Sequence, residues 1–113
     1  ALALKIGRAE RLAGDLATTA EMLSCGVAST PALKILLRHQ ATAIAVDEAT
    51  LAEAVTVFSS RGGPVTTPSG APGLAGLLTA LPSSTRATEL GIDENSRILL
   101  IATEGPVQSD PEA

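Results

Sequence analysis

Ser69 and Gly70 open the stretch of this chain whose residue types and spacing best suit a ligand. Gly62-Gly63 ends a helical pattern, a Pro-punctuated run follows, and a new helix is expected to open on Ser69. A serine there caps well, because its oxygen can accept from the free N–H groups of the first turn. Pro72 then falls at the third helical position, where its missing N–H has no intrahelical partner anyway. Gly70, Gly73 and Gly76 recur every three residues and strip one helix face of side chains. Glycine inside a helix costs about 1 kcal/mol relative to alanine, so something is expected to come close to that face. Either an anionic or aromatic ligand sits at a glycine-bared helix N-terminus, or a neighbouring strand or helix packs there. Spacing alone favours packing. The remaining reactive residues form no constellation. Cys25 and His39, fourteen positions apart, cannot enclose zinc. His39 reads as a solvated helix-end residue, and no Ser–His–Asp arrangement can be built on it.

The elements that must hold the Ser69 stretch alternate between helix and strand patterns. Ala1 to Ile6 reads as the last turns of a helix closed by Gly7, and Thr18 to Glu21 has the form of a capping box. Thr30-Pro31 starts a helix with an apolar stripe of Leu33, Leu36 and Leu37, and Arg38 and His39 suit its carbonyl end. Thr42 to Val46 is a short apolar run, expected to be a strand buried on both faces. Asp47 caps the helix that follows, in which Leu51, Ala54, Val55 and Phe58 fall on one face, and Arg61 and Gly62 end it. Pro82 to Arg86 reads as a surface loop, and Gly91 to Ser96 as a turn. Arg97 to Ala102 reads as a second buried strand, with a third possible at Pro64 to Thr67. The fold class expected is therefore α/β: a partial, mostly parallel sheet of two or three strands with flanking helices. Such a sheet cannot hide its own edges. An incomplete piece of a larger three-layer domain is expected over 1–105, completed by absent sequence or a partner chain, with a tail at 106–113.

Composition narrows the function classes. The 113 residues carry a net charge of −4 and one aromatic residue, Phe58, which argues against nucleic-acid partners and base-stacking platforms. No apolar run approaches the ~20 residues of a membrane span. The single Cys25 fits a reducing, cytoplasmic compartment.

Taken in order, Cys25-Gly26, Val46-Asp47-Glu48, Ser69-Gly70-Ala71 with Gly73-Leu74-Ala75, and Leu99 to Gly105 resemble a known family. They are similar to the C-terminal part of fold-type-II pyridoxal-phosphate enzymes, the tryptophan synthase β and threonine deaminase group. The resemblance is closest to the diaminopropionate ammonia-lyase branch and spans roughly Gly7 to Gly105. It implies pyridoxal 5′-phosphate as cofactor, with Ser69 and Gly70 beside its ring and Thr103 facing the pyridine nitrogen. A hydroxyl there restrains the electron sink and favours β-elimination. The local alternative is that Thr103 satisfies its own loop. Glu104 could orient that loop or be solvated. Cys25 falls near the substrate mouth by position, or is a small buried apolar residue.

Departures from the family pattern fall at Pro72, at Val27-Ala28, and at Pro106 to Asp110. The family's Schiff-base lysine and phosphate-gripping glycine loop have no counterpart here, since Lys5 and Lys34 match no such motif. The expectation is a fragment of a lyase acting on 2,3-diaminopropionate, threonine or serine. It would be inactive alone, not covalently loaded with cofactor, and homodimeric when complete. The alternative is a non-catalytic α/β interaction module, or one subunit of a split or degenerate relative.

Overall fold

The computed structural model describes residues 1–106; the tail expected over 106–113 otherwise lies outside them. Five α-helices follow one another: α1 (Leu2–Ile6), α2 (Thr30–Arg38), α3 (Glu48–Ser60), α4 (Pro72–Ala80) and α5 (Ser84–Glu89). Two 3-10 turns, Glu21–Leu23 and Pro68–Gly70, stand between them. Capping chemistry sets most of these ends. Gly7 closes α1 with φ 78°, a left-handed conformation that glycine adopts without steric cost. Ser29 caps α2 by accepting from Ala32 N–H, and Asp47 caps α3 by accepting from Thr50 N–H.

No strand forms among the described residues, whose regular structure is all helical, and the expected α/β fold with its parallel sheet is overturned. The three expected strands, 42–46, 64–67 and 97–102, are runs without helix, turn or bend. A run becomes a strand only through a backbone ladder to a neighbour. Residues 42–46 and 97–102 make no backbone–backbone hydrogen bond to another described residue. Nor are they buried on both faces. Leu100 and Ala102 are half-buried while Leu99 and Ile101 are 85% and 65% exposed.

The core is a small-residue seam where α3 packs on α4. Leu51 and Ala54 of α3 meet Ala71, Leu74 and Ala75, with Ala20 from the chain before the first 3-10 turn. Phe58, Val55, Val46 and Leu100 pack partly against them. The apolar face expected on α3 is the one it buries. On α2 only Leu33 is buried, and Leu36 and Leu37 stay exposed. Two further local expectations fail. Thr18 accepts from Ala20 N–H, so no capping box forms. The expected loop at Pro82 to Arg86 contains the start of α5, capped by Ser83.

Candidate functional site

Thr67, not Ser69, is the capping residue of the glycine stretch. Its side chain accepts from Gly70 N–H and closes the Pro68–Gly70 turn, with the proline at a position where its missing N–H costs nothing. Helix α4 starts only at Pro72, after Ala71, which supplies no side-chain cap. Ser69 is buried, and its Oγ accepts instead from Met22 N–H at 3.1 Å, tying the two 3-10 turns together.

The chain's return from residue 103 completes the cluster. Thr103 Oγ1 donates to Ser69 O at 3.3 Å, and Thr66 Oγ1 donates to Glu104 O at 2.6 Å. Thr67 Oγ1 donates to the Glu104 carboxylate. Thus Ser69, Gly70 and Thr103 come together, and Glu104 orients the loop rather than being merely solvated. Gly70 is required by this arrangement. A Cβ there would stand 2.0 Å from Thr66 Oγ1 and 3.0 Å from Glu104 O, both too close for contact. The helix face behaves differently along its length. A Cβ on Gly73 would make ordinary contact with Ile101 O at 3.8 Å, and one on Gly76 would meet no described atom within 4 Å. Close approach therefore explains Gly70, but not Gly76.

Among the described residues, no buried side-chain polar atom of this cluster or elsewhere lacks a partner. Its one solvent-facing hydroxyl among the three expected site residues is that of Thr103. Thr66 and Thr67 are the residues that sequence reasoning misses. Their signal is the Thr-Pro pair ahead of Ser69, which marks a cap one turn earlier. Cys25 is exposed, not a buried apolar residue, and its thiol donates to Val27 O at 2.9 Å. His39 is exposed at the C-cap of α2, as its position suggests. No group of three metal-ligating side chains occurs among the described residues. No helix there is long and apolar enough to cross a membrane.

A second polar clasp supports the cluster from the α3 side. Glu48 accepts from Thr19 N–H at 2.9 Å and from the Thr19 hydroxyl. The side-chain bonds from Thr18 and then Thr19 hold the Glu48 carboxyl below the usual range, and bonds from Thr50 do the same for Asp47. Both groups favour the ionised form in the folded state, so the stability they add is present above the ordinary carboxylate pKa. It is lost as pH falls through the depressed folded value. The melting temperature should therefore decline below about pH 4.5, and Glu48→Gln should make that decline shallower. Melting curves from pH 3 to 7 check this, and an unchanged slope in Glu48→Gln would exclude the clasp as a source. No protein-family model, curated protein or solved structure matches the chain.

Proposed function

We propose that this chain forms one wall of a pyridoxal-phosphate-dependent lyase that expels a β-substituent from a small amino acid such as 2,3-diaminopropionate, threonine or serine. The reading rests on the ordered motifs described above. The observation that carries it is convergence: Ser69-Gly70 and Thr103, 34 positions apart from Ser69, share one hydrogen-bonded cluster. Nothing in their local spacing requires them to meet.

The three residues do not fit the cofactor equally. Gly70 has no space left beside it, and the Ser69 hydroxyl is buried against Met22 N–H. Thr103 is exposed, and its bond to Ser69 O, at 3.3 Å, lies beyond the usual distance for a hydroxyl donor. Its hydroxyl can turn outward to a ring nitrogen at little cost, while Ser69 and Gly70 fix the backbone that presents it. Pyridoxal phosphate, when bound, supplies the electron sink for loss of the α-proton and the β-substituent. Thr103 would hold the ring nitrogen through a neutral hydrogen bond, which orients the ring without the full protonation that a carboxylate enforces. Neither Lys5, in α1, nor Lys34, in α2, belongs to the cluster. The covalent anchor and the phosphate grip must therefore come from elsewhere in the complete enzyme.

Titration of the ¹⁵N-labelled chain with pyridoxal phosphate tests the assignment. Amide shifts should concentrate at residues 69–70 and 103–104, and Thr103→Val should reduce them at least several-fold. Borohydride reduction should leave Lys5 and Lys34 free of stoichiometric adduct. Equal shifts in Thr103→Val, or an adduct on Lys34, would overturn the reading. The alternative, a non-catalytic interaction module, draws support from the exposed Ile98, Leu99 and Ile101.

A further inference from the structure

Residues 12–26 close on themselves. Leu12 N–H donates to Gly26 O at 2.8 Å, which joins the two ends of the segment and makes it an Ω-loop by length and shape. Its interior is stapled. Ser24 Oγ donates to Leu16 O at 2.7 Å, and Ala17 N–H to Asp15 Oδ1 at 3.3 Å. Leu16 sits in the left-handed region at φ 45°, uncommon for a residue with a β-carbon, and the Ser24 bond fixes it there. The loop is rooted in the connection from α1 to α2, whereas its 3-10 turn packs on the Pro68–Gly70 turn ahead of α4.

Among the described residues, three attachments hold the loop down. Thr19 donates its N–H and its hydroxyl to Glu48 at the start of α3. Met22 N–H donates to Ser69 Oγ at 3.1 Å, and Ala20 enters the core. Ala20 is the one buried residue of the loop, and Met22 and Leu23 are 75% and 51% exposed. A segment fastened by exposed hydrogen bonds and a single methyl opens at a free energy well below that of the whole fold. What it covers is specific. Thr66 and Ser69 carry the buried hydroxyls of the cluster. The Thr66 hydroxyl is bound to Glu104 O, whereas the partner of the Ser69 hydroxyl belongs to the loop. Lifting the loop frees Ser69 Oγ and leaves the Thr66–Glu104 bond in place.

We infer that residues 12–26 form a lid, hinged at the Leu12–Gly26 neck and latched by Glu48, whose opening as one body uncovers the Ser69 hydroxyl. Glu48 acts through Thr19 on a bond it does not touch, the one from Met22 to Ser69, and so is a positioning residue for the lid. The internal staples are what make the loop move together, since they survive when the attachments to α3 and Ser69 break. The inference goes beyond the cofactor reading and stands independently of it, because opening is measured without any ligand.

Amide exchange of the ¹⁵N-labelled full chain tests the lid. Thr19 and Met22 bond to different elements, yet they should share one protection factor, about tenfold or more below that of Ala75 in the α3–α4 seam. Glu48→Ala removes the acceptor of Thr19 and should speed exchange at Met22 by about fivefold or more, while Leu12 at the neck stays within about twofold. Thiol labelling reads the uncovering itself. In a Cys25→Ser background, Ser69→Cys places one thiol beneath the lid, with 5,5′-dithiobis(2-nitrobenzoate) as the probe. Adding Glu48→Ala should speed its labelling by about fivefold or more. A Met22 amide as slow as Ala75 would mean that the loop opens only with the whole fold. A Met22 amide indifferent to Glu48→Ala would mean that the loop does not move as one body, and unchanged labelling would mean that its opening leaves Ser69 covered. Each would overturn the inference. The comparison of Thr19, Met22 and Ala75 needs no substitution, so it decides even where a variant unfolds.

Discussion

Gly70→Ala should destabilise the fold by on the order of 2–3 kcal/mol, near the upper end for overpacking. The added methyl would stand 2.0 Å from Thr66 Oγ1 and 3.0 Å from Glu104 O. Neither neighbour yields easily. The Thr66 side chain is short and nine-tenths buried, and its hydroxyl is committed to Glu104 O at 2.6 Å. Glu104 O is backbone, and its own side chain is tied to Thr67. The least costly escape is release of residues 103–104 from the 3-10 turn, which also breaks the bond from Thr103 to Ser69 O. Thr66→Ala alone should cost about 1 kcal/mol for the lost hydrogen bond. In that background the Gly70→Ala methyl is left with Glu104 alone, its carbonyl at 3.0 Å and its Cγ at 3.2 Å, so its added cost should fall by about 1 kcal/mol. Urea unfolding of the four proteins measures the coupling. Additive costs would mean that Thr66 and Gly70 do not compete for the same space.

The contrast between what is readable and what is not follows the range of the forces involved. Helix ends are legible at Gly7, Asp47 and Arg61 because capping is satisfied within a few residues of the end itself. The buried face of α3 is legible too, since Leu51, Ala54, Val55 and Phe58 repeat at helical spacing. The runs 42–46 and 97–102 mislead for a different reason. An apolar run reports a demand for burial, and only a neighbour turns it into a strand. Ile98 and Leu99 keep that demand unmet in the chain, at 47% and 85% exposure. Likewise the Ser69 hydroxyl is misassigned as a local cap because its true donor, Met22 N–H, lies 47 positions away. The meeting of Ser69 with Thr103 is equally long-range, and only the family resemblance pointed to it. Thr67 is the one site residue with a local signal, the proline after it, that could have been read directly.

Two neighbouring positions on α4 should respond in opposite ways to the same substitution. Ala75 is fully buried in the seam with Leu51 and Ala54 of α3. Ala75→Leu drives three further carbons into that contact, and because two helices must separate to admit them, the cost should reach about 3 kcal/mol or beyond. Gly76, one residue on, has no described atom within 4 Å of where a Cβ would stand. Gly76→Leu replaces the second-poorest helix former with one of the best and should stabilise α4 by up to about 1 kcal/mol. Part of that gain offsets the new exposed apolar side chain. The starting residues differ in helix propensity by about 1 kcal/mol, so a gap between the two variants well beyond that reports packing. Thermal melts should show Ala75→Leu well below the parent and Gly76→Leu at or above it. Equal losses at both positions would mean that α4 tolerates no added bulk anywhere, and that the Gly76 face is closed by contact rather than open.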